Sequence, residues 1–264
     1  MEKEEDKIRA MVKMLEEAEM ALVGIGEDFE EVSCLNSQPG YRTACERIAE
    51  AKAQWVMPYV NHIFLKQDEK LARAYRNLAG MLRDKDYFVI SVSTNGFLLD
   101  APLKEDRIVE PCGSYRKMQC RNGCPGSVGA VHAVLLEEVE QCCKGEKDWE
   151  EISGPVCSYC NASMEYNSLY TEHYLEEGYL ESWDSYTKWL QKTVNKKLCI
   201  LELGAGMMFA GVLRFRFEKI MELNRKAEMV RIHQNLYQFP EEIGKRGIGI
   251  SQNAVDFMAG LYKI

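Results

Sequence analysis

Three short apolar runs, each halted by a turn rich in glycine or asparagine, limit this chain to very few folds. They are Ala21-Leu22-Val23-Gly24-Ile25-Gly26, Tyr87-Phe88-Val89-Ile90-Ser91-Val92-Ser93 and Lys197-Leu198-Cys199-Ile200-Leu201-Glu202-Leu203. A run that is apolar at successive positions is a strand buried on both faces, as in a parallel sheet. Before and between the runs lie stretches of helical period. Ile8, Met11, Val12, Leu15 and Ala18 mark the first. Residues 41–54 and 66–83 follow, the second carrying Leu71, Ala74, Tyr75, Leu78 and Leu82. Helices are also predicted over 179–195, 212–225 and 253–262, a fourth strand over 228–232, and a short fifth over 247–250. Residues 27–40 have no period and read as a long loop. Alternating strands and helices imply an α/β fold, a doubly wound parallel sheet covered on both faces. Such sheets bind ligands at the carboxyl ends of their strands.

The chain has 264 residues, enough for one large domain with a small one attached. A net charge of −8 argues against a nucleic-acid partner, because broad phosphate binding needs an excess of Lys and Arg. No apolar run approaches the ~18 residues of a membrane span. The opening Met1-Glu2-Lys3-Glu4-Glu5-Asp6 lacks the apolar core of an export signal. A cytoplasmic location with reduced cysteines is the expectation.

Two turns have the composition of a phosphate cradle. Gly24-Ile25-Gly26 is half of a dinucleotide fingerprint, in which glycines bring the backbone close to a pyrophosphate. Phe29 stands where the third glycine belongs, and Glu27 and Asp28 would repel a phosphate placed on them. Gly204-Ala205-Gly206 is a second such turn. Alone, each also reads as an ordinary strand-to-loop turn.

Residues 112–165 are rich in cysteine, glycine and proline and show little apolar period. They read as an insert within a body formed by residues 1–111 and 166–264. Cys120 and Cys124, then Cys157 and Cys160, form a C-x3-C and a C-x2-C pair. Two close pairs across a linker match a tetrahedral structural zinc, although Cys142 and Cys143 lie between them as possible competitors. A closed four-thiolate site leaves no position for a reactive water, so hydrolytic zinc chemistry is not expected. Cys34, Cys45 and Cys199 read as small buried hydrophobes. His62, His132 and His173 read as structural or surface residues.

The order of these features resembles the sirtuin family from about Ala21 to about Leu261. The resemblance implies a sirtuin-like Rossmann domain with a small inserted zinc-ribbon-like domain, NAD and Zn as cofactors, and transfer of ADP-ribose to an acceptor protein. Gly24, Ile25 and Gly26 match the family's Gly-Ala-Gly turn by their glycines. Ser93-Thr94-Asn95-Gly96-Phe97 resembles its Thr-Gln-Asn-x-Asp segment, keeping Asn95 but carrying Thr94 for Gln and Phe97 for Asp. Asn95 is therefore the candidate to hold the nicotinamide ribose. Cys112-Gly113-Ser114 resembles the His-Gly motif with the histidine base replaced by a thiol. Gly204, Ala205 and Gly206 take the place of the Gly-Thr-Ser turn. His233, Gln234 and Asn235 follow the fourth strand, where the family binds the adenine ribose.

Without the histidine, ADP-ribosyl transfer or NAD cleavage ranks above deacylation. An ordinary thiol at ~8.5 is a poor base near neutrality, although a lowered pKa would make Cys112 a nucleophile. The alternative is a non-catalytic NAD or ADP-ribose binding protein, a sensor or scaffold.

Overall fold

Successive side chains of a strand point to opposite faces, and the first apolar run uses both. The computed structural model describes residues 2–30 and 33–261. The helix α1 (Glu2–Glu17) leads into β1 (Met20–Ile25). Ala21, Val23 and Ile25 enter one buried core, and Met20 and Leu22 enter another. Three helices follow, α2 (Tyr41–Glu50), α3 (Met57–Leu65) and α4 (Glu69–Leu82), then β2 (Asp86–Ser91) and β3 (Ile108–Val109). A second unit holds β4 (Gly113–Cys120), β5 (Gly129–Ala130), α5 (Ala133–Lys144) and β6 (Met164–Ser168). The chain returns through α6 (Leu180–Lys192), β7 (Leu198–Leu203), α7 (Arg214–Leu223) and β8 (Ala227–Ile232). It closes with α8 (Glu241–Gly244), β9 (Gly247–Ile250) and α9 (Ala254–Gly260).

Six strands form one parallel sheet in the order β3-β2-β1-β7-β8-β9. The two cores lie on its two faces. α1 to α4 and α9 cover one, through Met11, Ile48, Val60, Leu78 and Phe257. α6 and α7 cover the other, through Trp189 and Phe217. The sheet is therefore doubly wound, as the sequence predicts. Its switch point lies between β1 and β7, where the order of connection reverses. A separate antiparallel sheet runs β5-β4-β6.

Several predicted elements are corrected. The segment read as a loop over 27–40 holds short 3-10 turns at Glu27–Phe29 and Ser33–Ser37, while the side chain of Cys34 lies outside the described residues. The helix expected over 41–54 stops at Glu50, and α3 follows it unpredicted. The second strand ends at Ser91, so Ser93 lies in the turn beyond it. The insert contains α5, whose Leu135 and Val139 pack into the same core as α3 and α4. The small sheet thus shares a core with the large one.

One charged cluster lies inside the second core. Glu202, one residue before the end of β7, is fully buried, as is Arg231 beside it on β8. Arg231 Nε lies 2.6 Å from Glu202 Oε1, and Nη2 lies 2.9 Å from Glu218 of α7. Arg214, at the start of α7, adds a contact at 3.4 Å. Both arginines also reach backbone: Arg214 donates to Ala205 O and Leu236 O, and Arg231 to Gln238 O. A buried charge left without its partner is costly. Glu202→Leu therefore strands two guanidinium groups and should cost about 3–5 kcal/mol, read as a lower urea midpoint. An unchanged midpoint would mean that Glu218 alone compensates both arginines.

Candidate functional site

The strands around the switch point end in register. Ile25 pairs with Ser91 on one side and Leu203 on the other, and Leu203 pairs with Ile232. Beyond them the two glycine turns interlock. Gly26 N donates to Leu203 O at 2.8 Å, Asp28 N to Gly204 O at 3.2 Å, and Gly204 N to Ile232 O at 2.7 Å. A side chain at Gly26 would place its Cβ 2.3 Å from the backbone of Ala205. Gly204 has φ +67, where glycine is favoured, and Ala205 is buried. Gly24 has another task. It lies within β1, and its missing side chain leaves room for the ring of Phe217, 2.5 Å from where a Cβ would sit. The side chain of Ile25 is buried in the first core, so only its backbone reaches this edge.

Three acids on the first loop meet backbone donors here. Glu27 accepts from Gly206 N at 2.6 Å and from Phe209 N at 3.2 Å. Asp28 accepts from Ala254 N at 2.8 Å. Glu30 accepts from Ser93 Oγ at 2.6 Å, Thr94 N at 2.8 Å, Thr94 Oγ1 at 2.7 Å and Asn95 N at 3.3 Å. Glu27 and Asp28, placed by the sequence where they would repel a phosphate, instead hold backbone N–H groups, and Glu30 joins them. The visible signal was the density of acids just after a glycine turn.

Asn95 is nearly buried, with both ends of its amide engaged. Nδ2 donates to Phe29 O at 2.8 Å, and Oδ1 accepts from Phe97 N at 2.9 Å. Behind it lies His62, which is buried and not a surface residue. Its Nδ1 is 3.1 Å from Asn95 O, and its Nε2 is 3.0 Å from Asp100 Oδ2. Burial pushes the Asp100 carboxyl up, but His62 and the Arg116 guanidinium overrule it and hold Asp100 down at about 2. Cys112 is fully buried. Burial pushes its thiol up to about 12, helped by the nearby carboxylates of Glu27 and Glu30. Near neutrality it is a protonated thiol, neither base nor thiolate nucleophile. Glu110, just past β3, has no sequence signal of its own; burial raises its carboxyl to about 7 against the pull of Lys117.

His233 closes the turn after β8, accepting at Nδ1 from Asn235 N and Leu236 N, each at 3.1 Å. Asn235 itself is exposed. This turn rests on the Arg214 and Arg231 contacts to the backbone of 236–238.

Away from this edge, the sulfurs of Cys120, Cys124, Cys157 and Cys160 lie within 4.8 Å of one another. Cys120 ends β4, and the second pair precedes β6 through a bridge between Val156 and Ser163. Gly123, at φ +67, makes the tight first turn. Four converging thiols fit a tetrahedral structural zinc. Cys142 and Cys143 lie on α5, outside this cluster.

Two measurements test these assignments. Cys157→Ser should abolish stoichiometric zinc by elemental analysis and expose the small sheet to proteolysis; retained zinc would refute the ligand set. Asp100 sits below the ~3.9 of an unfolded carboxylate. The stability it contributes is complete above about pH 4 and is lost as pH falls toward 2. Asp100→Asn should flatten the acid limb of a urea-stability profile, and an unaltered limb would show that other carboxylates govern acid unfolding.

No family model matches the chain. A Fusarium oxysporum protein named "Probable bifunctional ADP-ribose hydrolase/ADP-ribosyltransferase" is 25% identical over 66% of this chain and 30% of its own length. A Staphylococcus aureus "Protein ADP-ribosyltransferase" is 21% identical over 70% of this chain and 59% of its own. The chain thus spans less than two thirds of either relative. Among solved structures, Sir2Tm bound to a propionylated peptide aligns over 95% of both chains, with TM-score 0.54 and 13% identity. A Sir2 homologue in complex with NAD aligns over 95% of this chain and 92% of its own, with TM-score 0.53 and 12% identity. Among the described residues no helix is long and apolar enough to cross a membrane. The chain has the sirtuin fold, in a divergent form.

Proposed function

We propose that the chain binds NAD or ADP-ribose at the carboxyl edge of the large sheet, and that its reaction is ADP-ribosyl transfer or NAD cleavage rather than deacylation. NAD would supply an ADP-ribosyl group on a ribose carbon activated by its nicotinamide leaving group. The observation that carries the reading is the state of Cys112. It stands where the sirtuin resemblance places a histidine base, yet it is a fully buried thiol, and burial pushes its pKa up. Deacylation needs that base. Transfer to an acceptor that is already nucleophilic needs mainly a positioned substrate and walls that exclude water. The curated relatives carry the ADP-ribosyltransferase name, which favours the same ranking.

The chain's own groups fit a nucleotide in one respect. The amides of Gly206, Phe209, Thr94 and Asn95 are aimed at anions, since each already holds a carboxylate oxygen. They would hold phosphate or ribose oxygens. Gly26 and Gly204 bring the backbone of the two turns together. Cys120, Cys124, Cys157 and Cys160 would hold zinc in a structural role.

A second reading is a non-catalytic sensor or scaffold. It is favoured by Asn95, whose amide is committed to Phe29 and Phe97. Nicotinamide release separates the two. Zinc-replete protein incubated with NAD should release nicotinamide, quantified by mass spectrometry, and Asn95→Ala should reduce it. A folded protein that binds ADP-ribose by calorimetry without releasing nicotinamide would rule out hydrolysis and automodification and favour the sensor.

A further inference from the structure

The acids of the first loop do more than decorate a turn. A strand end with free N–H groups is a site for anions. Two such ends meet at the switch point, and both are filled from within. After β7, Gly206 N and Phe209 N converge on the two oxygens of Glu27. After β2, two amides and two hydroxyls, from Ser93, Thr94 and Asn95, converge on Glu30. The glycines are shaped around the same loop. A Cβ at Gly206 would lie 3.3 Å from the Glu27 carboxyl, and one at Gly204 2.4 Å from Asp28 Cβ. The cradles are therefore complete, and each carries an anion that belongs to the chain.

We propose that the amide cradles after β7 and β2 are the sites for the phosphate and ribose oxygens of a nucleotide, and that Glu27 and Glu30 occupy them as internal stand-ins that the ligand must displace. This rests on the nucleotide reading above and adds a gate to it. Displacement breaks Glu27 away from Gly206 and Phe209, and Glu30 away from Ser93, Thr94 and Asn95. The donors pass to the ligand, so none is left unsatisfied. Only the fraction of molecules with the loop displaced binds, and the apparent affinity falls by that fraction.

Simple charge repulsion would also weaken binding, so the test must separate charge from occupancy. Glu27→Asp with Glu30→Asp keeps both charges but shortens each arm by about 1.5 Å, withdrawing the carboxylates from the amides. Glu27→Gln with Glu30→Gln keeps the length and removes the charge. ADP-ribose binding to the full zinc-loaded chain is measured by calorimetry for all three proteins, with melting curves as a folding control. The single substitutions Glu27→Asp and Glu30→Asp replace the double variant if it melts below the assay temperature. Occupancy predicts about tenfold tighter binding for the aspartate variant if the filled form outweighs the open one by about ten to one. Tighter binding by the glutamine variant alone would reduce the effect to repulsion and overturn the gate. Equal binding by all three proteins would overturn the gate while leaving the nucleotide site standing. If none of the folded proteins binds, the nucleotide reading fails and the gate falls with it.

Discussion

A fully buried carboxylate in the middle of a β-sheet must be matched by cations or neutralised by a proton, and leaving it charged and unpaired is costly. Glu202 imposes that demand on everything around it. It draws Arg231 from the next strand and Arg214 from α7 into the second core. Those arginines then spend their remaining donors on the backbone of Ala205, Leu236 and Gln238. The Phe239 ring lies 4.8 Å from the Arg231 guanidinium carbon and covers it. A single glutamate thereby fixes the turn after β7, the loop after β8 and the entry to α7. These segments form one side of the carboxyl edge at the switch point.

The other side is the first loop, which carries Glu27, Asp28 and Glu30. The two sides meet through Glu27 on the Gly206 and Phe209 amides. The carboxyl edge of the sheet thus carries a carboxylate on the amides after β7 and a buried thiol at Cys112. Burial and the two neighbouring glutamates keep that thiol protonated. The same acids that satisfy the backbone therefore add to burial in raising the Cys112 thiol.

Much of the fold was legible because it follows from periodicity. The central strands carry continuous apolar runs, and only a sheet covered on both faces accepts such runs. The four zinc-type cysteines were legible from spacing, and the structure brings their sulfurs together. What escaped notice depends on partners far away in sequence. Gly24 looks like half of a nucleotide fingerprint, but its smallness accommodates Phe217. His62 has no local context, because Asp100 and Asn95 supply it. β3 has two residues, too few for any period, and is a strand only because β2 lies beside it. α5 hid in a segment whose cysteines and glycines drew attention from Leu135 and Val139. Glu30 was one acid among several, and its four donors belong to a turn more than sixty residues away.

The Asn95 amide, clamped between Phe29 O and Phe97 N, has a mechanical consequence. It rivets the first loop to the turn after β2, while His62 ties the same turn to α3. Glu30 makes a second, parallel set of links across the same seam. Parallel links do not yield one at a time, because while either set holds, the other is kept in register and re-forms. The seam between loop and sheet is therefore built as a latch with redundant fastenings, not as a flap held at one point. Displacement of the loop by a ligand, as proposed above, would therefore have to break both sets together.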